Sequence, residues 1–150
     1  MVVVASIIPS IFISSSLPNY DQQISKFTWI SQNTEEDSTI LAPIEFGNLL
    51  TYVGERKNVL DDNFLLAPNV EERVDDVDLL YKTVFEVKGL EVLNKYNINY
   101  ILVTPVMKHG LVWNVEEEGV LFLLKYDDGF AKIYDEAIEV WEYKPKQKNI

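Results

Sequence analysis

The apolar run YILV at positions 100–103 constrains the fold of this chain more than any other segment. A strand with one face in solvent alternates apolar and polar residues, whereas a strand covered on both faces is continuously apolar. Pro105 follows the run and favours the end of the strand. Residues 100–103 therefore predict the central strand of a sheet whose neighbouring strands are parallel and whose two faces carry helices.

The rest of the chain has the periodicity of helices that alternate with short strands. Ile24, Phe27 and Ile30 recur at the spacing of a buried helix face, and Gly89 separates two further helical patterns. Residues 120–124 fit a helix or a strand. The predicted helices cover residues 22–32, 47–55, 70–87 and 90–96, and the predicted strands cover residues 38–42, 58–60, 100–103, 130–134 and 138–143.

This order of elements predicts an α/β fold with a mostly parallel sheet and helices on both faces, a three-layer, Rossmann-like sandwich. The last two strands alternate apolar and polar residues, so they predict a closing antiparallel hairpin. A chain of 150 residues is the size of one domain. We expect that domain to span residues 19–144, with a frayed polar tail at residues 145–150.

Residues 1–18 are apolar and are interrupted by Pro9. They lack the basic start of a secretory signal and are shorter than the roughly 20 apolar residues of a membrane helix. Two interpretations remain open. The segment is an extended arm packed on the domain, or it is the end of a membrane helix.

The formal charge of -11 excludes nucleic acid as a favoured partner, because such a chain repels phosphate backbones. The chain has no cysteine, so disulfides and thiolate chemistry are excluded. Its single histidine, His109, argues against a histidine-based triad or a multi-histidine metal site. Any catalysis therefore rests on carboxylates, lysine, tyrosine or hydroxyl groups.

The turn at Glu45, Phe46, Gly47 and Asn48 follows a predicted strand. In open α/β sheets, ligands bind beyond the carboxyl ends of the strands. Glu45 and Asn48 are therefore candidates for lining a polar pocket, with Gly47 allowing a tight backbone. The alternative is an ordinary helix start, where an acidic side chain is favoured by the helix dipole.

Asp61 and Asp62 are the candidate metal ligands, together with the acidic stretch around Asp75, Asp76 and Asp78. Carboxylate oxygens suit Ca²⁺ and Mg²⁺. The spacing matches no EF-hand loop, so a solvated acidic face is the competing interpretation.

His109 and Trp113 lie in the loop after the predicted central strand. His109, with Lys108 beside it, is a candidate for facing a ligand, and the alternative is an exposed loop residue. Trp113 is a candidate for stacking on a sugar or for packing against a partner.

Five segments resemble, in order and spacing, the soluble domain of archaeal oligosaccharyltransferase catalytic subunits and related multi-spanning membrane glycosyltransferases. In that family a helix ends in a W-I-x-x-N-T-P-E-D-like turn, and a K-Y-x-V-x-Y-I-L-V segment forms a later helix and strand. The corresponding segments here are residues 27–41 (FTWISQNTEEDSTIL), 44–57, 93–103 (LNKYNINYILV), 132–134 (KIY) and 140–143 (VWEY).

The resemblance implies that this domain follows the last membrane helix and lies outside the cytoplasm, with a cytoplasmic soluble protein as the alternative. Residues 1–18 would then be the helix end. The family's catalytic carboxylates and its divalent cation belong to membrane-side loops that the printed residues do not include. The resemblance therefore implies no cofactor in this domain and no catalysis by the domain alone.

One family motif is not retained. The oligosaccharyltransferases carry W-W-D-Y-G, which helps to hold the Ser/Thr of the glycosylation sequon. The aligned residues here are Pro43, Ile44, Glu45, Phe46 and Gly47, so that the glycine alone is kept. Recognition of the sequon is therefore not implied.

Three functions are consistent with these observations. The first is an extracytoplasmic accessory domain of a membrane glycosyltransferase-like protein, which packs on the membrane portion of that protein and assists binding of a glycan or an acceptor peptide. The second is a free-standing, soluble protein-interaction domain. The third is a small hydrolase that uses the carboxylates of Glu45, Asp61 and Asp62.

Overall fold

The computed structural model describes residues 20–63, 66, 68–115 and 117–145. A 3-10 turn (Ile44–Phe46) precedes the second helix, and a π-helical turn (Met107–Leu111) follows the third strand. The regular elements are α1 (Tyr20–Asn33), β1 (Thr39–Leu41), α2 (Gly47–Tyr52), β2 (Lys57–Asn58), α3 (Val70–Lys82), α4 (Glu86–Lys95), β3 (Ile98–Val103), α5 (Val120–Tyr126), β4 (Phe130–Asp135) and β5 (Glu139–Tyr143).

The sheet has five strands in the order β2-β1-β3-β5-β4. β3 is its middle strand, which confirms the prediction from YILV. β1 lies parallel to β2 and β3, but β5 lies antiparallel to β3 and to β4. The prediction of a mostly parallel sheet is therefore wrong, and a Rossmann-like arrangement is not confirmed. A continuously apolar strand indicates that other elements pack on both of its faces. This packing does not determine the direction of the neighbouring strand.

Successive residues of β3 point into two different cores. The first core joins Ile101 and Val103 to buried residues of α3, α4 and α5. The second joins Tyr100 and Leu102 to buried residues of α1 and α2. Because side chains alternate along a strand, these cores lie on opposite faces of the sheet, and helices pack against both faces.

The boundary between α3 and α4 differs from the prediction. The helix predicted over residues 70–87 ends at Lys82, because Thr83 turns the backbone into an extended conformation and its hydroxyl accepts the Phe85 N–H at 3.1 Å. Gly89 does not separate two helices but is buried within α4, where a Cβ would lie 3.0 Å from a methyl group of Leu123. The absence of a side chain thus allows α4 to approach α5 closely.

This earlier ending also changes which side chains are buried. Val84 and Phe85, which the helical pattern places on the buried face, are 44% and 65% exposed. They lie in the connection between α3 and α4, so the helical periodicity does not apply to them. Residues 120–124, which fit a helix or a strand, belong to the helix α5.

The remaining expectations on domain organisation concern the ends of the chain. The apolar segment at residues 1–18 lies outside the described residues, and so do residues 146–150 of the predicted tail. In the described part of the chain, no helix has both the length and the apolar character needed to cross a membrane.

Candidate functional site

A cavity of about 580 Å³ opens at the carboxyl end of the central strand β3. Ligand pockets in proteins typically have volumes of about 300–1,000 Å³. The cavity is therefore large enough for a small molecule or for part of a peptide. It is lined by Val103, Thr104, Pro105, Lys108, His109, Asn114, Val115, Asp135, Glu136, Ile138 and Glu139.

Two loops that are distant in sequence form the walls of this cavity. One loop follows β3, and the other is the hairpin turn between β4 and β5. Val103, the last residue of β3, pairs with Glu139, the first residue of β5. The antiparallel direction of β5 therefore brings the hairpin turn to the carboxyl end of β3, which is the edge where α/β sheets bind ligands.

The loop after β3 is held by its own hydrogen bonds and by the core. Thr104 is buried, and its hydroxyl accepts the Met107 N–H at 3.3 Å. Met107 and Trp113 are anchored in the first core. Gly110 has φ +103°, a conformation that side-chain-bearing residues rarely adopt, and its N–H donates to the Trp113 carbonyl at 2.9 Å. This backbone presents Lys108 and His109 to the cavity.

Glu139 is the most highly connected polar side chain of the cavity. Its Oε1 lies 2.8 Å from Lys108 Nζ and 3.4 Å from Lys132 Nζ, and its Oε2 accepts the Trp141 Nε1–H at 2.9 Å. Burial opposes ionisation of this carboxyl group, but the bonds from Lys108 and Trp141 and the two lysine charges outweigh it. The pKa of Glu139 is therefore held below its usual range.

We expect Glu139→Gln to lower the free energy of unfolding at pH 7 by about 1–3 kcal/mol, because charge-assisted bonds are lost and Lys108 is left unpaired. A lowered folded-state pKa means that this contribution is fully present above the ordinary value of 4.5. It is lost as the pH falls through the folded-state pKa. Urea unfolding from pH 7 to pH 3 measures the difference between variant and wild type, which should shrink towards zero at low pH. A difference that stays constant over this range would contradict the assignment.

His109 lines the cavity. Its role in facing a ligand stays a prediction. The side chain is exposed, and its Nδ1 lies 2.5 Å from the Pro105 carbonyl oxygen. This contact within one turn fixes the orientation of the imidazole ring. The ring therefore has one nitrogen bound to the backbone and the other free to meet a ligand.

Trp113 does not have the role that its sequence context predicted. The side chain is 0% exposed, so it cannot stack on a sugar. Its Nε1–H donates to the Tyr81 carbonyl at 2.8 Å, and its ring meets the Tyr81 ring edge to face at 5.7 Å between centroids. A polar neighbourhood in sequence misled the prediction, since the loop folds back on the first core.

The turn at residues 45–48 lies away from the lining of the cavity and is largely structural. The Phe46 ring packs 5.7 Å from that of Phe27 in the second core. Gly47 is buried, and a Cβ there would lie 2.4 Å from Asp61 Cβ. Glu45 is exposed. The tight approach of Gly47 to Asp61 explains why a glycine occupies this position.

Asp61 and Asp62 have protein partners of their own. Asp61 Oδ1 accepts the Asn63 N–H at 2.8 Å, and Asp62 Oδ2 accepts the Asn48 Nδ2–H at 3.0 Å. The structure thus brings Asn48 to Asp62. Over the residues that the structure describes, no group of three or more His, Cys, Asp or Glu side chains is placed to hold a metal ion.

The second acidic stretch is also engaged by protein groups. Asp76 lies 2.6 Å from Lys95 Nζ and 2.7 Å from the Tyr96 hydroxyl group. Asp78 lies 2.6 Å from Lys82 Nζ in the i,i+4 geometry of a helix pair. These ion pairs support the interpretation of this stretch as a solvated acidic face.

Sequence reasoning missed the hairpin side of the cavity, in particular Glu136, Ile138 and Glu139. Their positions near a turn are visible in the sequence, but their place in the same cavity as His109 depends on the pairing of β5 with β3. A usable signal was the alternation in residues 138–143, which is typical of an antiparallel strand.

The fold and the cavity define this chain as a mixed α/β globular domain with a ligand-sized cavity at the carboxyl end of its central strand. Its fold is similar to the crystal structure of the C-terminal globular domain of an oligosaccharyltransferase from Archaeoglobus fulgidus, with a TM-score of 0.58 and 15% sequence identity. The match covers 80% of this chain and 95% of that domain. The resemblance predicted from the sequence segments is thus confirmed at the level of the fold.

A further crystal structure, also described as the C-terminal globular domain of oligosaccharyltransferase from Archaeoglobus fulgidus, matches with a TM-score of 0.48 and 12% identity, over 86% of this chain and 98% of that one. No protein-family profile matches the sequence, and no curated protein matches it significantly.

Proposed function

We propose that this chain is an accessory globular domain of a membrane glycosyltransferase-like protein. The domain lies outside the cytoplasm, packs on the membrane portion of that protein, and assists binding of a glycan or an acceptor peptide without catalysing transfer itself. The observation that carries the proposal is the fold similarity, which spans 95% of the oligosaccharyltransferase domain at a TM-score of 0.58.

The cavity at the end of β3 supports a role in binding. Its lysine and its most buried carboxylate are paired with each other, Lys108 with Glu139 at 2.8 Å. A carboxylate held ionised by two lysines is poorly suited to act as a general base, because its affinity for a proton is lowered. The cavity therefore has the volume and the polar groups of a binding site, with Glu139 committed to its ion pair with Lys108.

The turn at residues 43–47 supports a function that differs from sequon binding by the oligosaccharyltransferases. At the positions of W-W-D-Y-G, Phe46 packs into the second core and Gly47 packs against Asp61. These residues serve the packing of α2 rather than the exposed recognition of the Ser/Thr of a sequon. We therefore assign assistance in binding to the cavity beside β3.

Cell fractionation tests the proposal. An antibody raised against the chain should detect, in cells of the source organism, a polypeptide much larger than 150 residues that sediments with membranes and resists a carbonate wash. In right-side-out vesicles, added protease should remove the epitope, since the domain lies on the outer side. A soluble species of the size of this chain would contradict the proposal, and protection from protease would contradict the location.

A second function, that of a free-standing protein-interaction domain, is favoured by one surface. Val84 of the connection between α3 and α4 is exposed and borders the same shallow depression as the exposed Phe122 and Tyr126 of α5. Contiguous exposed apolar side chains often mark protein contacts. The same surface is available for packing on a membrane portion, so the fractionation experiment separates the two functions.

The third function, a hydrolase that uses Glu45, Asp61 and Asp62, receives no support from the cavity. None of these residues lines it. Asp61 and Asp62 instead bind the Asn63 backbone and the Asn48 amide.

A further inference from the structure

The cavity beside β3 presents hydrogen-bond acceptors to a ligand. A carbonyl oxygen only accepts hydrogen bonds, so the contact with Pro105 assigns the proton of the neutral His109 ring to Nδ1. The other ring nitrogen, Nε2, then carries a lone pair and no proton. In its neutral form His109 therefore offers the cavity an acceptor, and Asn114, whose amide group has one acceptor oxygen and two N–H donors, also lines the cavity.

The cavity also contains a negative charge that Lys108 in its lining and the neighbouring Lys132 do not neutralise. Lys108 pairs with Glu139, and Lys132 pairs with Asp135 at 2.9 Å and with Glu139 at 3.4 Å. Among the described residues, no ion pair involves Glu136, whose Oε2 instead accepts the Tyr134 hydroxyl at 3.0 Å. The carboxylates of Asp135, Glu136 and Glu139 thus outnumber the two lysines by one. Together with the formal charge of -11, this balance disfavours anionic ligands and favours a cation.

Apolar residues complete the lining of the cavity. Of these, Val103 and Ile138 are buried, and Pro105 and Val115 are exposed. Such a surface suits the methylene groups of a long basic side chain, whose charged end meets the polar residues of the lining. A guanidinium group has five N–H donors in a planar fork and no acceptor, so it complements a carboxylate and neighbouring acceptors.

We propose that this cavity binds an arginine side chain of an extended peptide, with the guanidinium group facing Glu136 and the free nitrogen of His109. The inference deepens the proposed function and rests on it in identifying the peptide as an acceptor. The volume of about 580 Å³ exceeds that of one side chain, so residues that flank the arginine also fit.

Titration of the ¹⁵N-labelled chain with N-acetyl-arginine N-methylamide tests the inference, with the citrulline analogue as a neutral probe of the same shape. We expect saturable chemical-shift changes at His109, Asn114 and Glu136 for the arginine probe. Citrulline should bind more weakly by about fivefold or more, which corresponds to the loss of a partly exposed ion pair. Equal binding of the two probes, binding of neither, or shifts confined to another surface would overturn the inference.

Matched variants locate the recognising groups. Glu136→Gln keeps the shape and an oxygen for Tyr134 but should remove the preference for arginine over citrulline. Glu91→Gln removes the same charge from an exposed position of α4 and should leave the preference unchanged. His109→Ala should weaken binding of both probes. An equal effect of the Glu136 and Glu91 substitutions would show that net charge alone attracts the ligand, against the proposed site.

These outcomes are independent of the test of the proposed function. The titration uses the isolated chain, whereas fractionation asks whether the domain belongs to a membrane protein. If the chain binds arginine but proves to be soluble in cells, the arginine site is supported and the identification of the peptide as an acceptor is contradicted. If the domain belongs to a membrane protein but does not bind arginine, the arginine site is contradicted and the role as an accessory domain is not.

Discussion

Replacing Gly119 by alanine is expected to lower the free energy of unfolding of this domain by about 3 kcal/mol or more. Backbone strain contributes ~1–3 kcal/mol of this loss and overpacking a further ~1–3 kcal/mol. Gly119 has φ 57° and ψ -139°, a conformation that is essentially restricted to glycine. A Cβ at this position would lie 2.0 Å from the Tyr81 carbonyl oxygen and 2.8 Å from Trp113 Nε1. The backbone of α3 would have to move, because the carbonyl oxygen has no freedom to rotate away.

The substitution would also disturb a hydrogen bond, because Gly119 lies against the two atoms that join Trp113 to α3. The Trp113 Nε1–H donates to that same Tyr81 carbonyl. Displacement of Tyr81 would leave the fully buried indole N–H without its partner, which costs about 1–3 kcal/mol. Urea unfolding followed by tryptophan fluorescence measures the loss.

Gly110→Ala is the matched control for this substitution. Gly110 also has a positive φ, +103°, but the nearest heavy atom to an added Cβ is Asn114 Oδ1 at 3.9 Å. The control therefore carries conformational strain without a clash and should cost about 1–2 kcal/mol. Equal losses for the two variants would contradict the claim that close packing at Gly119 dominates.

Arg56→Met is expected to produce the second large loss of stability, about 3 kcal/mol or more, because bonds to a charged donor contribute ~1.5–3 kcal/mol each and are not fully additive. Arg56 is 6% exposed, and its guanidinium group binds neutral oxygens. Its Nη2 donates to the Ser31 and Thr34 carbonyls at 2.7 Å each, and its Nε donates to the Thr34 hydroxyl at 2.9 Å.

These bonds connect the end of α1 to the segment before β2. The last carbonyl groups of a helix lack partners within the helix, and a cation near them is favoured by the helix dipole. The Nη1 of Arg56 also donates to the Glu55 carbonyl at 3.0 Å. One side chain thus binds both the end of α1 and the backbone of its own segment before β2. Removal of the guanidinium group leaves several carbonyl oxygens without a donor in a buried place.

Arg56→Lys and Lys57→Met serve as controls in the same unfolding experiment. A lysine keeps the charge but presents one nitrogen, so it should recover only part of the stability. Lys57 lies next in sequence, and its partner Asp37 is fully exposed, so its substitution should leave the unfolding midpoint within experimental error. Full recovery by lysine would show that charge, and not the geometry of the guanidinium group, is what α1 requires.

The site illustrates what a sequence pattern can predict about a ligand cavity. His109 was identified from its place after an apolar strand, and it does line the cavity. Trp113 was identified from the same loop, yet it is buried against Tyr81. Proximity in sequence placed both residues at the correct edge of the sheet but did not specify which of them turns inward. That choice depends on the π-helical turn and on the hydrogen bonds around Gly110.

Glu45 and Asp61 show a second limit. Glu45 was selected for a pocket because it follows a predicted strand, and Asp61 was selected for a metal site because carboxylate oxygens suit a cation. In the structure Gly47 approaches Asp61 so closely that the region is filled by packing. A pattern that places two segments at the same edge of a sheet does not indicate whether a space remains between them.

The sequence by itself determined the central position of the strand at residues 100–103, the helix over residues 22–32, the closing hairpin and the resemblance in fold to the oligosaccharyltransferase domain. These features depend on local periodicity and on burial, which the order of apolar side chains records directly. The tertiary structure alone decided that β5 enters the sheet antiparallel beside β3, and thereby which loops meet. Strand direction is set by long-range pairing of backbone groups, so the continuous apolar pattern of β3 does not specify the direction of the strand beside it. Because of that pairing, Glu136 and Glu139 lie across the cavity from His109.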